Sequence, residues 1–232
     1  MELKVSCFTP SYNKGQIAVE GVKSILNQTY QNFEFVVVDN SDDDHTRKLM
    51  RRVCKNQDKV LYIEQDFSED LRKSQFVGSL LVNEYLPNLT GDLIIYKSDD
   101  DLLYPDCFER CVTYFVQHPD TMAVWFSMNV TEQDKDGFFH LAEIKADRPI
   151  GFGTKDAKLD CMLDGGQIMY RKECLRDIKQ PFYSPDWLLA SHADGGFMDK
   201  LAEKYTFYPI DSDYLLEHRR TEKSTFTGLN VR

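Results

Sequence analysis

Apolar and polar positions alternate along the first 130 or so residues in blocks that suit strands and helices in turn. Five apolar runs have the length of strands: residues 3–8, 33–38, 59–64, 92–96 and 122–128. The four segments between them predict helices, from apolar spacing, an acidic first turn or an initial proline: residues 16–28, 42–55, 74–86 and 105–118. This β-α order predicts the doubly wound α/β class, a mostly parallel sheet with helices on both faces.

The pattern changes near residue 131 into shorter polar and aromatic segments. These segments predict a hairpin through Gly137, a strand at residues 167–170, a helix at 196–203 and a late strand at 205–210. No linker rich in glycine, serine or proline separates the two parts of the chain. We therefore expect one domain over residues 1–232, with halves at 1–131 and 132–232.

The chain carries 28 Lys and Arg against 38 Asp and Glu, a formal net charge of −10. This disfavours a nucleic-acid-binding protein, since neutralising phosphates needs clustered basic residues. The longest apolar runs are far shorter than the roughly 20 residues of a membrane-spanning helix. The first residues also lack the regions of a signal peptide. We therefore expect a cytoplasmic protein without an integral membrane segment, for which peripheral membrane contact stays open.

Six cysteines are scattered along the chain, and a cytoplasmic protein of this size needs no disulfide framework. We therefore expect free thiols in the core. Cys107 and Cys111 lie four residues apart on a predicted helix, but no matching pair of Cys or His completes a zinc site. Core packing is the expected role of both.

Three polar clusters follow strands of the predicted parallel sheet, at residues 9–14, 39–41 and 98–101. Because ligands of doubly wound folds bind beyond the carboxyl ends of the strands, these clusters should converge on one crevice. The first turn lacks the Gly-x-Gly-x-x-Gly pattern, and the chain lacks the Gly-x-x-x-x-Gly-Lys-Ser/Thr pattern. A glycine-rich dinucleotide loop is therefore disfavoured and a P-loop is excluded.

Asp99, Asp100 and Asp101 directly follow a predicted strand and precede Pro105. Three adjacent carboxylates repel one another, and Mg²⁺ or Mn²⁺ shared with diphosphate oxygens would relieve that repulsion. The alternative is a solvated acidic loop that caps the next helix. Asp39 ends the second strand, where its carboxylate would bond a base or ribose, or else form an Asx-turn or helix cap.

Three motifs in this order resemble the family 2 glycosyltransferases of the GT-A fold, and most closely their SpsA-like, compact single-domain members. The motifs are VSCFTPSYNK from residue 5, SILNQTYQNFEFVVVDNS from residue 24 and GDLIIYKSDDD from residue 91. Residues 164–171, 184–194 and 207–211 also run similarly. The resemblance implies a GT-A fold, a mixed sheet in which residues 1–131 bind the nucleotide and residues 132–232 form the acceptor-binding half and C-terminal tail.

The resemblance also implies an activity: metal-dependent, inverting transfer of a sugar from a nucleotide-sugar donor, expected to be a UDP-sugar, to a hydroxyl of a glycan or other acceptor. The cofactor would be Mn²⁺ or Mg²⁺, and the setting cell-surface polysaccharide or glycan synthesis. Two other classes stay open. One is a nucleotidyltransferase, although residues 9–15 carry only one glycine and one lysine. The other is a non-catalytic module that binds sugar nucleotides.

Roles on the donor side follow from the resemblance position by position. Thr9, Pro10 and Tyr12 would contact uracil and ribose, and Asp39 would bond the base. Arg72 or Lys73 would lie in a loop that steadies the nucleotide and diphosphate. Residues 99–101 would form the DXD element that binds ribose and metal, in which Asp99 and Asp100 match the SpsA-like pattern best.

Roles in the second half rest on the same resemblance. Asp194 matches the catalytic base, because an attacking hydroxyl must lose its proton, although it also suits the N-cap of a helix starting near Gly196. Asp164 would lie near the donor sugar or the acceptor, or serve a turn. His218 would complete the metal shell, or be a surface histidine. Independently of the resemblance, Arg219, Arg220 and Lys223 form a basic cluster in an acidic chain and would form a flexible tail over the diphosphate, or a solvated end. Trp187 would stack on an acceptor sugar, or be buried.

Overall fold

A computed structural model describes residues 2–145, 153–222 and 224. Within these residues nine strands form one mixed sheet in the order β3-β2-β1-β4-β8-β6-β9-β5, with β7 pairing with β6. The strands are β1 Val5–Ser11, β2 Phe33–Asp39, β3 Val60–Glu64, β4 Leu93–Tyr96, β5 Leu102–Leu103, β6 Ala123–Gln133, β7 Phe139–Lys145, β8 Ile168–Arg171 and β9 Phe207–Arg220. The helices are α1 Gln16–Leu26, α2 Asp44–Cys54, α3 Glu69–Ser74, α4 Val77–Tyr85, α5 Cys107–Gln117 and α6 Ala193–Ala202. The α/β class is therefore confirmed.

The first four strands are parallel to one another, so β1, β2 and β4 end at the same edge of the sheet. Neighbouring side chains of β1 enter different cores, with Cys7 in one apolar cluster and Phe8 in the other. This alternation shows that the sheet is covered on both faces, as the apolar strand pattern predicted. β1 continues three residues past its predicted end at Phe8, because Thr9, Pro10 and Ser11 pair with the last residues of β2.

The other half of the sheet is mixed. β8 lies antiparallel between β4 and β6, whereas β9 runs parallel to β6. The predicted late strand ended at residue 210, but β9 continues to Arg220 because it pairs with β6 a second time after register shifts near Ser127. Arg219 and Arg220 therefore belong to a strand, and their predicted place in a flexible tail is wrong; Lys223 lies outside the described residues. The predicted hairpin through Gly137 is confirmed as β6 and β7.

Two helix predictions need correction. A short helix, α3, precedes the predicted helix at residues 74–86, and Ser68 caps it by accepting a hydrogen bond from the Leu71 amide. Arg72 and Lys73 therefore lie on a helix rather than in a loop. α6 begins at Ala193, with His192 at its N-cap, so Asp194 lies in the first turn and is not the cap.

None of the six cysteines forms a disulfide, and five of them are buried, including Cys107 and Cys111. Core packing is therefore confirmed for this pair. Cys161 is exposed, against the expectation of core thiols. Among the described residues, no helix is long and apolar enough to cross a bilayer.

Candidate functional site

A cleft of about 610 Å³ opens beyond the carboxyl ends of β1, β2 and β4, and both halves of the chain line it. Its lining includes the predicted site residues Pro10, Tyr12, Arg72, Asp99, Asp100, Asp164, Asp194 and His218. Pro10, Tyr12, Asp99 and Asp100 come together because the carboxyl ends of β1 and β4 share one edge of the sheet, and Arg72 reaches the cleft from α3. The last three come from the β8, α6 and β9 region. The predicted convergence of strand ends on one crevice therefore agrees with the structure.

The acidic loop, residues 99–101, satisfies each of its carboxylates with a partner from one of two segments, the turn after β1 or strand β9. Asp99 accepts a hydrogen bond of 2.9 Å from the Tyr12 amide. Asp100 forms a 2.6 Å ion pair with Lys14 in which both side chains are only 8% exposed. Asp101 lies 3.1 Å from His218 and accepts a hydrogen bond from the Arg219 amide. Protein groups therefore relieve much of the repulsion that the sequence presented.

These surroundings shift the pKa values of the loop. Burial and the charge of Asp100 raise the pKa of Asp99 to about 7, against the opposing effect of Lys14. Burial also raises the pKa of Asp101, although His218 opposes this. The charge of Asp101 in turn raises the pKa of His218 to about 10. His218 is therefore protonated at neutral pH in the absence of other ligands.

Lys97 supports the acidic loop from beneath. Its side chain is fully buried, and its ammonium group donates hydrogen bonds of 2.7 Å to the carbonyls of Ser98 and Asp101. Gly21 of α1 packs against the same loop so closely that a Cβ there would lie 2.4 Å from the Asp99 carbonyl oxygen. The backbone of the loop is therefore held by a lysine and a glycine to which sequence reasoning assigned no role.

The donor atoms of Asp101, Asp164 and His218 lie within 4.8 Å of one another. One oxygen of the buried Asp101 carboxylate, Oδ2, has no hydrogen-bond partner. Two carboxylates and an imidazole are donors that Mn²⁺ accepts, and carboxylates also suit Mg²⁺. The residues therefore fit a divalent cation, with Asp164 as a donor that the sequence had not placed among the metal ligands. Asp100, by contrast, is engaged with Lys14.

Asp194 faces the same cleft from the first turn of α6. Its two carboxylate oxygens accept hydrogen bonds from the amides of Gly165, at 2.8 Å, and Gly195, at 2.9 Å. Burial and the charge of Asp164 raise the pKa of Asp194 to about 6, while these amides oppose the rise. At neutral pH the carboxylate is therefore mostly ionised and close to the proton affinity that suits a general base.

Aromatic and amide groups form the other end of the cleft. The Arg72 guanidinium lies 4.6 Å from the centre of the Tyr12 ring and donates to both Asn40 oxygens, the side-chain one at 3.0 Å. Trp187 packs against Phe76 with ring centres 5.1 Å apart and the ring planes tilted by 57°, and its indole N–H donates to the Arg72 carbonyl. A planar base would find ring faces and hydrogen-bonding groups here.

Three residues predicted to bind the nucleotide do not line the cleft. Asp39 is fully buried, and its oxygens accept hydrogen bonds from the Tyr62 hydroxyl and the Ser41 amide. Thr9 is buried in β1, and Lys73 forms an exposed ion pair with Glu69. Their nucleotide contacts stay predictions that would need these side chains to rearrange.

The sequence placed Lys14 and Asn40 only within polar clusters expected at the crevice, and it gave no role to three further side chains that the cleft depends on: Phe76, Lys97 and Tyr183. The signal for Lys97 was a single lysine at the end of the apolar run Leu93–Tyr96. The signal for Lys14 was its place in the first motif, directly before the turn into α1. No sequence signal marked Phe76 and Tyr183, since aromatic residues are also common in protein cores.

Comparison with known proteins identifies the family and the fold. The family model described as Glycosyl transferase family 2 matches residues 6–179. Protein CgeD of Bacillus subtilis (strain 168) is 24% identical over 217 residues, which are 90% of this chain and 48% of CgeD. The chain thus spans about half the length of this curated relative.

Two solved structures share the fold. S. aureus TarS 1–349 in complex with UDP-GlcNAc superposes with a TM-score of 0.64 at 16% identity, over 96% of this chain and 60% of that one. The mannosyltransferase PcManGT from Pyrobaculum calidifontis, in complex with GDP-Man and Mn²⁺, gives a TM-score of 0.64 at 19% identity, over 94% and 57%. The fold of this chain is therefore the GT-A type.

Proposed function

Because the chain belongs to glycosyl transferase family 2, we propose that it moves a sugar from a nucleotide-diphosphate donor to an acceptor hydroxyl with inversion at the anomeric carbon. A UDP-sugar is the donor that the sequence motifs favour. The neighbouring structures hold UDP-GlcNAc in one case and GDP-Man in the other, and they support a nucleotide sugar in general. The acceptor is a glycan or another hydroxyl compound.

One observation carries the proposal: Asp194 shares a single cleft with the acidic loop. An ionised carboxylate held by two amides accepts the acceptor proton as the hydroxyl oxygen attacks the anomeric carbon. The bond from that carbon to the diphosphate oxygen breaks at the same time, and the electron pair leaves with the diphosphate. A single displacement of this kind inverts the configuration.

Asp101, Asp164 and His218 would hold Mn²⁺ or Mg²⁺ beside the diphosphate. When bound, such a cation neutralises the charge that the leaving diphosphate gains. Lys97 keeps the Asp101 backbone in place for this contact. Tyr12, Arg72 and Asn40 would hold the base and ribose, since they present ring and hydrogen-bonding groups at the other end of the cleft.

The same proposal includes a setting. Transfer from an activated nucleotide sugar would take place in the cytoplasm, where such donors are made, with a growing cell-surface polysaccharide or glycan as acceptor. Peripheral contact with a membrane would bring the protein to an acceptor that is anchored there.

The test is to incubate the protein with Mn²⁺ and a panel of nucleotide sugars, with acceptor sugars added, and to identify the released phosphate compound. A glycosyltransferase releases a nucleoside diphosphate. A nucleotidyltransferase would instead exchange pyrophosphate, and a non-catalytic module would release nothing with any donor. Calorimetric titration with UDP before and after chelation tests the metal separately. Equal UDP affinities in the two titrations would exclude a role of the metal in nucleotide binding.

A further inference from the structure

A second group of metal-ligating side chains lies outside the lining of the cleft. Asp160, Cys161 and His192 each direct one donor atom at the same point, and these atoms lie within 4.8 Å of one another. The Cys161 sulfur is 3.5 Å from His192 Nδ1 and 3.7 Å from Asp160 Oδ1. His192 Nδ1 is 2.9 Å from Asp160 Oδ2. None of these three residues has a role in the proposed sugar transfer.

The two segments that carry these residues are fixed before any ligand arrives. The fully buried Leu159 anchors the segment that bears Asp160 and Cys161, and the amides of Leu159 and Asp160 donate to the Asp199 carboxylate. His192 is the N-cap of α6. Asp160 also packs against the backbone of this helix, because a Cβ on Gly195 would lie only 2.0 Å from its Oδ1. The three donors are thus built into one place.

The spacing of the donors matches a tetrahedral ion of a particular size. With Zn–S near 2.3 Å, Zn–N near 2.0 Å and Zn–O near 2.1 Å, the ligand atoms on one face of a tetrahedron lie about 3.4–3.6 Å apart. With Oδ1 as the ligand atom of Asp160, the observed separations run from 3.1 to 3.7 Å. Shifts of a few tenths of an ångström would therefore complete the face, and water would fill the fourth corner.

The chemistry of the donors selects among cations. A thiolate, an imidazole and a carboxylate suit Zn²⁺, a borderline-soft ion, whereas Mg²⁺ takes oxygen ligands almost exclusively. The cluster at Asp101, Asp164 and His218 contains no sulfur, so the two groups prefer different metals.

We propose that Asp160, Cys161 and His192 form a Zn²⁺ site with one open position, separate from the metal site of the cleft. A bound ion would join the 159–161 segment to the N-terminal end of α6, two residues before Asp194. The proposal does not depend on the identity of the donor sugar or on catalysis.

The test uses Co²⁺ as a spectroscopic substitute for Zn²⁺, with the full chain carrying Asp101→Asn so that the cleft site is weakened. Because the cluster contains a thiolate, Co²⁺ should produce a sulfur-to-metal charge-transfer band together with the visible bands of tetrahedral cobalt, and one equivalent of Zn²⁺ should abolish both. Cys161→Ser should remove the charge-transfer band. His192→Ala should lower Zn²⁺ affinity by at least about tenfold.

His140→Ala provides the matched control, since His140 lies 2.6 Å from an aspartate, Asp134, in an exposed pair without a cysteine. This variant should keep the band and the affinity. Thiol labelling gives a second readout: Cys161 is the one exposed cysteine, so Zn²⁺ should slow the labelling of a single thiol and a chelator should restore it. Absence of the charge-transfer band in the parent protein, or its persistence in Cys161→Ser, would overturn the proposal.

Discussion

The cleft holds its two sets of carboxylates in different ways. In the acidic loop, residues 99–101, the two later carboxylates have cationic side chains as partners, Lys14 for Asp100 and His218 for Asp101. Asp164 and Asp194 instead accept hydrogen bonds from the amides of glycines, namely Gly165, Gly166 and Gly195. The first set depends on side chains supplied from remote segments, and the second depends on the local course of the backbone.

This difference separates two tasks. In the proposed reaction, the acidic loop would bind the metal and diphosphate, and Asp194 would act as the base. Burial and the charge of Asp164 raise the pKa of Asp194 to about 6, while its glycine amides oppose the rise. The comparison therefore predicts that loss of a remote cationic partner damages the acidic loop, whereas displacement of the glycine backbone damages the second set.

The largest expected effect comes from Asp194→Asn. This change keeps the shape of the side chain but removes the base, so transfer should fall by about 10²–10⁴-fold while UDP binding changes little. Steady-state transfer rates and calorimetric UDP titration measure the two quantities. Asp120→Asn, at an exposed loop position, is the control and should keep full activity. If the Asp194→Asn variant transferred sugar at the parent rate, Asp194 would not be the base, and the proposed division of roles between it and the acidic loop would be wrong.

Next in size is Lys14→Met, which leaves the buried Asp100 carboxylate without its cation. Breaking a buried ion pair in this way costs about 3 kcal/mol in the free energy of unfolding. Denaturant titration in the presence of a chelator measures this loss. Lys23→Met on the exposed face of α1 serves as the control and should change stability by less than about 0.5 kcal/mol. Equal stability of the two variants would show that solvent, and not Lys14, compensates the charge of the Asp100 carboxylate.

Substitutions of two adjacent glycines test how the backbone holds Asp194. A Cβ on Gly195 would meet Asp160 Oδ1 at 2.0 Å and the Asp160 Cα at 2.8 Å, so the first turn of α6 must shift and take an amide away from Asp194. We expect Gly195→Ala to cost about 1–3 kcal/mol in unfolding free energy and to lower the transfer rate. At Gly196 a Cβ meets nothing within 4 Å. Gly196→Ala should therefore leave the rate unchanged and stabilise the helix by up to about 1 kcal/mol, and a similar loss at both glycines would contradict the packing argument.

The smallest effect concerns Glu34, a carboxylate remote from the cleft. Its partners include both a cationic side chain, Lys4, and a backbone amide, that of Thr90. Its burial favours the protonated form, but hydrogen bonds from Lys4, Ser6 and Thr90 outweigh burial and lower its pKa from 4.5 to about 2. Because the folded pKa is the lower one, this carboxylate stabilises the protein above about pH 4.5, and the contribution is lost as the pH falls towards 2.

Glu34→Gln should therefore lower the unfolding free energy by about 1 kcal/mol at pH 7, and the difference from the parent should shrink as the pH falls. Chemical denaturation at several pH values measures it. A difference that stays constant with pH would mean that the glutamate acts by packing rather than by charge.

The sequence predicted the parallel half of the sheet well, because each of its strands is apolar and its polar ends must share one edge. Asp194 and His218 were predicted through resemblance rather than through pattern, and both line the cleft. Pattern failed for β9, which pairs with β6 in two registers, since a register shift leaves no periodic trace along a single strand. The short helix α3 was missed because six residues without a buried face give no apolar spacing.

The sequence also gave no indication of the contacts that charged groups make with residues far away along the chain. Lys14 and Asp100 lie 86 residues apart, and the Arg219 amide reaches Asp101 across 118 residues. Local sequence rules reach only a few residues in each direction, and so they predicted a repulsive acidic triplet that needed an external cation. The buried Lys97 contradicts the usual exposure of lysine, and only the carbonyls around it explain its place.

β9 has a consequence for the order of events during synthesis. The acidic loop leaves the ribosome long before its last partners do, because His218 and Arg219 are encoded more than 100 codons later. The parallel strands β1 to β4 can pair meanwhile, but Asp101 cannot enter its final environment until β9 docks beside β6. The acidic loop therefore gains its last partners only after β9 has been synthesised, and a chain interrupted before β9 would lack His218, a ligand of the proposed metal site.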